Sequence, residues 1–452
     1  MQSLTTSLQN SRASVLSTDE RVRTLQRKLY LKAKQDKAFK FYVLYDKVRL
    51  DYFLWEAYRR VRANGGAPGV DRTDFEQIEK TGLPEFIEGI RKDLLNKTYK
   101  AQAVRRVYIP KANGKLRPLG IPTIRDRVVQ MSCKMVIEPV FEADFGEDSY
   151  GFRPKKSARD AMTKIKNYLK EKRTHVLDAD LEAYFDTIPH DKLMIAVKQR
   201  IADNNVLALI LQWLKCPVID SENRTSGGKH SQQGTPQGGV ISPLLSNIYL
   251  NLLDRIITNP RSEFARAGIR IVRYADDFIL LGGHISDAIS NQLEGILTRM
   301  GLRLNKEKTS RKQLWKEPMD FLGFTIRWAR TPYKGSVNRF WNIHPSVKSE
   351  KKLRQSIREI VRTGLHSKPG TYVYKLNVKL RGWINYYKIN GVTQLYTSIS
   401  RMAGYLGQTI YRMYRRKSQN GWSRRYRQCA YKKFIAEYGL INLYECINRK
   451  AL

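Results

Sequence analysis

The chain has 452 residues, with 82 Lys+Arg against 42 Asp+Glu for a formal net charge of +40, on 42% hydrophobic and 10% aromatic residues. That apolar content excludes a disordered basic tail, and the length allows roughly two to four domains of about 100–200 residues each. So large a positive charge asks for a polyanion; nucleic acid is favoured over an anionic membrane, because runs such as Val206–Leu211 fall far short of the roughly 20 apolar residues of a spanning helix.

The first 18 residues are rich in Ser and Thr, with one Arg and no acid. They echo a transit peptide faintly and are read as a frayed terminus. Residues 20–63 carry periodic charged and apolar stretches, Arg21–Tyr30 and then Tyr45–Val61, which predict helices with basic exposed faces. The cluster Asn64-Gly-Gly-Ala-Pro-Gly69 breaks them. From there to about Gly335, short β-rich runs (Arg106–Ile109, His175–Leu177, Arg270–Tyr274, Phe278–Leu281) mix with helix-length amphipathic segments, predicting an α+β or α/β body. Beyond Ser346 the pattern is helical, over Val347–Thr363, Tyr372–Ile389 and Thr393–Tyr414. Residues 346–452 hold 23 Lys+Arg but only 4 Asp+Glu. Cys133, Cys216, Cys429 and Cys446 stand too far apart for a zinc site or a disulfide framework, which fits a reducing compartment.

Lys111 and Arg117 flank Ala112-Asn-Gly-Lys-Leu116, a hairpin with Asn113-Gly114 at its tip. Both cations suit phosphate; a solvated basic hairpin is the plain alternative. At His175–Leu181, strand alternation turns Leu177, Ala179 and Leu181 one way and Asp178 and Asp180 the other. The Gly- and Pro-containing stretch Gln232–Gly239 precedes an apolar-periodic helix, so its backbone can approach a ligand and the helix start suits phosphate. Asp276 and Asp277 interrupt two apolar strands, which predicts a hairpin with the pair at its turn. Adjacent carboxylates between Tyr274 and Phe278, with no Gly, Asn or Ser beside them, would be costly unless a cation sits there. A divalent metal answers that cost. With Asp178 and Asp180 they supply the carboxylates that hold two Mg²⁺ ions for phosphoryl or nucleotidyl transfer.

The order of a strand-end Asp, a Gln-Gly loop with its helix, and Tyr274-Ala-Asp-Asp277 closely resembles the palm of reverse transcriptases. Gly66-Ala-Pro-Gly-Val-Asp71, Ile109–Pro122, Ser149-Tyr-Gly-Phe-Arg-Pro154, Phe321-Leu-Gly-Phe324 and Leu380-Arg-Gly-Trp-Ile-Asn-Tyr-Tyr387 are similar to the reverse transcriptase/maturase proteins encoded by group II introns, from about residue 20 to the end. The resemblance implies an α+β, right-hand polymerase with fingers and palm, followed by an all-helical thumb (domain X) and a short basic C-terminal DNA-binding region. Its divisions are an N-terminal helical extension (1–65), fingers and palm (66–335), thumb (336–411) and the basic DNA-binding region (412–452). It implies that Asp180, Asp276 and Asp277 are catalytic and hold two Mg²⁺, with Asp178 the lesser candidate. Phe185, five residues after Asp180, would gate the sugar against a 2′-OH, core packing being the other reading of this ring. Lys111 and Arg117 would meet the incoming triphosphate, Gln237 and Gly238 would pack beside nucleotide and template, and Lys308, with Lys306 close by, would be the acid for the pyrophosphate leaving group. Phe321–Phe324 would be the primer-gripping turn.

The implied activity is RNA-directed DNA polymerisation by two-metal nucleotidyl transfer. Joined to it are binding of the protein's own group II intron RNA, assistance to splicing as a maturase, and copying of the intron by target-primed reverse transcription, or retrohoming. Partners would be the intron RNA, target DNA and primer, and dNTPs, with no membrane and a homodimer left open. The implied place is the bacterial cytoplasm, nucleoid-associated on DNA, an organelle being the alternative. Among the thumb aromatics Trp383, Tyr386, Tyr387, Tyr405, Tyr411 and Tyr414, most are expected in the core, with the lysines and arginines meeting RNA. The sequence reaches Leu452 without the paired Cys and His of the endonuclease that many members carry, so no second-strand nicking is expected. Competing readings are a domesticated polymerase of defence or repair, a splicing-only RNA-binding maturase and a two-metal nuclease. Intact Asp-Asp, Gln-Gly and finger motifs disfavour the splicing-only reading, and Phe185 with the finger cations disfavours the nuclease.

Overall fold

Alternation along the strand His175–Ala179 builds the centre of the molecule. The computed structural model describes residues 17–110, 114, 116–220, 222, 224–228, 230–330, 338–364, 367–417 and 424–448. In it this strand pairs antiparallel with Asp277–Gly282 on one side and Ser310–Gln313 on the other, and Arg270–Tyr274 adds the outer edge beyond Asp277–Gly282. Leu177, Ala179, Leu181, Ile271, Phe278 and Leu280 belong to one hydrophobic core, and Val176, Val272, Ile279 and Leu281 to a second. The face carrying Asp178 is therefore largely covered rather than open to water. A sheet apolar on both faces needs cover on both.

Helices Thr18–Gln35, Asp51–Asn64, Ile124–Glu142, Ser242–Thr258 and Asp287–Met300 close the first core, through Val22, Phe53, Val136, Leu250 and Leu293 among others. The N-terminal helices thus share a core with the central sheet. The periodic stretch from Tyr45 forms two helices rather than one: Tyr45–Val48 ends at Arg49, and Leu50 is extended before Asp51–Asn64 begins. Asp203 fixes the first of them by accepting the amides of Leu44 and Tyr45 at 2.7 and 2.8 Å.

Val104–Pro110 and Leu116–Ile121 form the expected basic hairpin, Pro110 lying opposite Leu116. Pro217–Ile219, parallel to Val104–Pro110, and then Thr225–Gly227 extend it to four strands. The second core joins helix Ala158–Lys170, the three-stranded sheet Met319–Phe321, Phe324–Arg330 and Arg339–Pro345, and helices Val347–Thr363, Pro369–Tyr387, Tyr396–Lys417, Arg424–Tyr438 and Leu443–Asn448. The boundary expected at 335/336 lies outside the described residues, between two strands that pair along their length. That expected at 411/412 falls within Tyr396–Lys417. Tyr387 and Tyr411 are buried in this core, Trp383 and Tyr405 pack partly against it, and Tyr386 is 40% exposed; the side chain of Tyr414 is outside the described residues. Among the described residues no helix is long and apolar enough to cross a membrane.

Phe434, from the basic C-terminal stretch, has no exposed surface. Its replacement by Ala is expected to cost about 3–5 kcal/mol. A thermal melt should show the main unfolding transition shifted down, rather than a separate early step.

Candidate active site

Asp276 and Asp277 sit where the sequence pattern places them. Tyr274 pairs with Asp277, leaving Ala275 and Asp276 as a two-residue turn with φ +60° at Ala275. Such a backbone is normally given to glycine, and an alanine there must be held by its surroundings. Arg273 does the holding. Its side chain is fully buried, and Nη1 donates to the Ala275 carbonyl at 2.9 Å and to Asn247 Oδ1 at 2.8 Å. Nε and Nη2 grip Asp254 at 2.9 and 2.6 Å. Asn247 and Asp254 both come from helix Ser242–Thr258, which follows the Gln-Gly loop. The Ser149-Tyr-Gly motif joins the same knot: Tyr150 N donates to Arg273 O at 2.8 Å, Asn247 Nδ2 to Gly151 O at 2.8 Å, and a Cβ at Gly151 would stand 2.3 Å from Ala275 N. In sequence Arg273 is one residue of a β-rich run, and its partner Asp254 lies 19 positions away with no local signal.

Asp180 follows the strand His175–Ala179, anchored by its carbonyl to Asn305 N at 2.8 Å. The same clamp, with Glu182 N on Arg303 O at 2.9 Å, brings in the 303–309 segment and sets Lys308 Nζ 2.9 Å from Asp180 Oδ2. The charge of Asp180 lies close enough to disturb the ionisation of Asp276 and Asp277. Asp277 is pushed up to about 6 by partial burial and then by the negative charges of Asp276, Asp180 and Asp178. Asp276 is also raised, chiefly by burial, with Arg117 and Lys308 pulling it back. Asp178 is held up at about 6 by burial, despite Lys312 beside it. Among the described residues, no three His, Cys, Asp or Glu side chains are drawn together closely enough to hold a metal as they stand. The result is a patch in which Lys308 pairs with Asp180 while Asp178, Asp276 and Asp277 are all held above the usual carboxylate range.

Phe185 packs edge-on to Phe152, with ring centroids 6.5 Å apart, and its carbonyl accepts Thr235 N at 2.6 Å. Phe152, half exposed at φ +57°, lies within the Ser149–Pro154 motif, but nothing in that motif marks its ring as the partner of Phe185. Gly238 has φ +108°, and a Cβ there would strike the Gly120 carbonyl at 2.3 Å. That contact, with Gly120 N on Gln237 O at 2.5 Å, ties the basic hairpin to the Gln-Gly loop. Gln237 Oε1 accepts Arg117 Nε at 3.2 Å. Lys111 lies outside the described residues. At the Phe321–Phe324 turn, Leu322 and Gly323 both have positive φ. Tyr386 Oη donates to Leu322 O at 3.1 Å and Ser349 Oγ to Gly323 O at 3.1 Å, so the helical region holds this turn from behind.

An antiparallel sheet with an Asp-Asp hairpin, an Asp at the neighbouring strand end and a basic hairpin above it is the arrangement of a nucleic-acid polymerase palm with fingers. Residues 109–326 match the family model described as reverse transcriptase (RNA-dependent DNA polymerase). Residues 350–429 match that described as group II intron, maturase-specific domain. Among curated relatives, protein YkfC of Escherichia coli (strain K12) is 35% identical over 345 residues, 68% of this chain and 89% of that protein. The group II intron-encoded protein LtrA of Lactococcus lactis subsp. cremoris is 30% identical over 348 residues, 63% of this chain and 56% of that protein. The putative COX1/OXI3 intron 2 protein of Saccharomyces cerevisiae is 28% identical over 337 residues, 62% of this chain and 38% of that protein. The chain belongs to the reverse transcriptase/maturase family of group II introns.

Two outcomes follow from the geometry. Asp254→Ala leaves the Arg273 charge buried and unpaired, so it should cost about 3–5 kcal/mol of stability, read as a large drop in the urea midpoint. For Asp277 the sign is opposite. A carboxyl raised to about 6 in the fold, against about 3.9 unfolded, destabilises the folded state as pH rises through that window. Asp277→Asn should therefore melt higher than the parent at pH 8 in a chelator, with the difference vanishing near pH 4. Because Asp277 reaches solvent, screening limits the gain to about 1 kcal/mol.

Proposed function

We propose that this reverse transcriptase extends a primer 3′-OH on an RNA template, with Asp180, Asp276 and Asp277 as its metal ligands, and that its basic C-terminal third holds the group II intron RNA that it helps to splice and copies at a DNA target. The observation that carries this reading is the meeting of Asp180, Asp276 and Asp277 at one end of the central sheet, where partial burial and then the neighbouring carboxylates raise Asp277 to about 6. Hard oxygen donors under that strain fit Mg²⁺. Two Mg²⁺ bound there would favour deprotonation of the primer hydroxyl and neutralise charge on the α-phosphate and leaving pyrophosphate.

The chain's own side chains supply the rest. Arg117 and Lys111 bind and orient the dNTP triphosphate through charge-assisted contacts. Phe185, braced by Phe152, fills the space a 2′-OH would need and so selects deoxynucleotides. Gln237 and Gly238 let the nucleotide and template approach the loop. Lys308, beside Asp180, donates a proton to the pyrophosphate oxygen. Lys and Arg of residues 346–452 bind RNA phosphates, and Arg412–Lys433 meets target DNA. Intron RNA, target DNA with its primer, and dNTPs are thus the partners, and target-primed copying places the protein on DNA.

Primer extension on an RNA template tests this directly. Asp277→Asn should lose at least about 100-fold in extension rate while still binding structured intron RNA and supporting its splicing. Extension at the parental rate would overturn the assignment of the carboxylates, whereas loss of splicing together with copying would overturn the separation of the two roles.

A further inference from the structure

Asp186 belongs to none of the roles above, yet it meets the one side chain that links the loop to the basic hairpin. Its Oδ2 accepts Gln237 Nε2 at 2.9 Å, and the other end of the same amide, Oε1, accepts Arg117 Nε at 3.2 Å. The backbones carrying this chain are fixed. Thr235 N donates to Phe185 O at 2.6 Å, Gly120 N to Gln237 O at 2.5 Å, and a Cβ at Gly234 would sit 3.1 Å from Asp186 O. Among the described residues no Lys, Arg or His pairs with Asp186.

The two neighbours decide which way the amide faces. An ionised carboxylate can only accept and a guanidinium can only donate. Turning the amide over would set oxygen against oxygen at Asp186 and N–H against N–H at Arg117. We infer that Asp186 is a positioning residue that fixes the orientation of the Gln237 amide and, through its oxygen, holds the Arg117 guanidinium ready for the incoming nucleotide. A long cationic side chain ordered in advance loses less freedom when the triphosphate arrives, so the effect falls on nucleotide affinity rather than on the chemical step. This rests on the reading that Arg117 serves the dNTP.

Steady-state primer extension with varied dNTP gives the test. Asp186→Ala, which removes the acceptor, should raise the dNTP KM about tenfold, leave kcat within about twofold and leave the thermal midpoint unchanged. Asp186→Glu, which keeps an acceptor, should restore much of the loss. The sharper arm swaps donor and acceptor. Gln237→Glu alone faces Asp186 with a second carboxylate and should also raise KM. In the double variant D186N/Q237E, the amide introduced at 186 donates to the carboxylate introduced at 237, whose other oxygen still accepts Arg117, so KM should fall back toward the parent. An unchanged KM in D186A overturns the inference, as does a KM in D186N/Q237E no lower than that of Q237E alone. If Asp277→Asn still extends primers, the underlying reading fails instead; if it is inactive while D186A behaves as the parent, this inference alone falls.

Discussion

The guanidinium of Arg273 has no access to water, and the position of the acidic hairpin follows from how that charge is satisfied. A buried cation is tolerable only when its hydrogen-bonding groups are met with good geometry. Asp254 supplies the countercharge from the helix after the Gln-Gly loop, Asn247 the next acceptor, and Ala275 the last, through the carbonyl of its own strained turn. The Ser149-Tyr-Gly stretch packs so tightly on that turn that no side chain fits at Gly151. Three segments are thereby locked to one another, and the two aspartates project from the locked end of the sheet.

The carboxylate patch was legible because its physics is local. Two adjacent acids between apolar strands are an anomaly that demands a turn and a counter-ion, and period-two alternation suffices to put Asp180 at the end of a strand facing away from Leu177 and Ala179. What could not be read was everything that depends on distant partners. Nothing near Arg273 in sequence distinguishes it from Arg270, which stays partly exposed on the same strand. Lys308 was singled out by its motif, but its ion pair with Asp180 arises from the backbone pairing of the 303–309 segment. Asp186 carries no signal of its own in sequence, and only the folded loop brings Gln237 over it.

The larger divisions of the chain were harder to read than the site. Composition separates an acid-bearing body from a basic C-terminal third, and the helices of that third lie close to their expected places. Packing does not follow composition. Alternate residues of the central strands feed two cores, one shared with the N-terminal helices and the other with every helix from Val347 onward. The central sheet is a partition wall between them, and the Leu322–Gly323 turn, held by Tyr386 and Ser349, is where one side of that wall meets the helical region.

A wall shared in this way governs how the protein can be recombined. A chimera that takes its helical third from a relative cannot be joined at the start of Val347–Thr363. The incoming helices would bring foreign side chains into the core that also holds helix Ala158–Lys170 and Val176, Val272, Ile279 and Leu281, where sizes were matched to the original tenants. Interiors packed like crystals do not absorb such mismatches cheaply. Exchange along this lineage is therefore expected to preserve the second-core residues of the central strands together with the rest of that core, so that the seam of inheritance runs through the sheet rather than along the sequence.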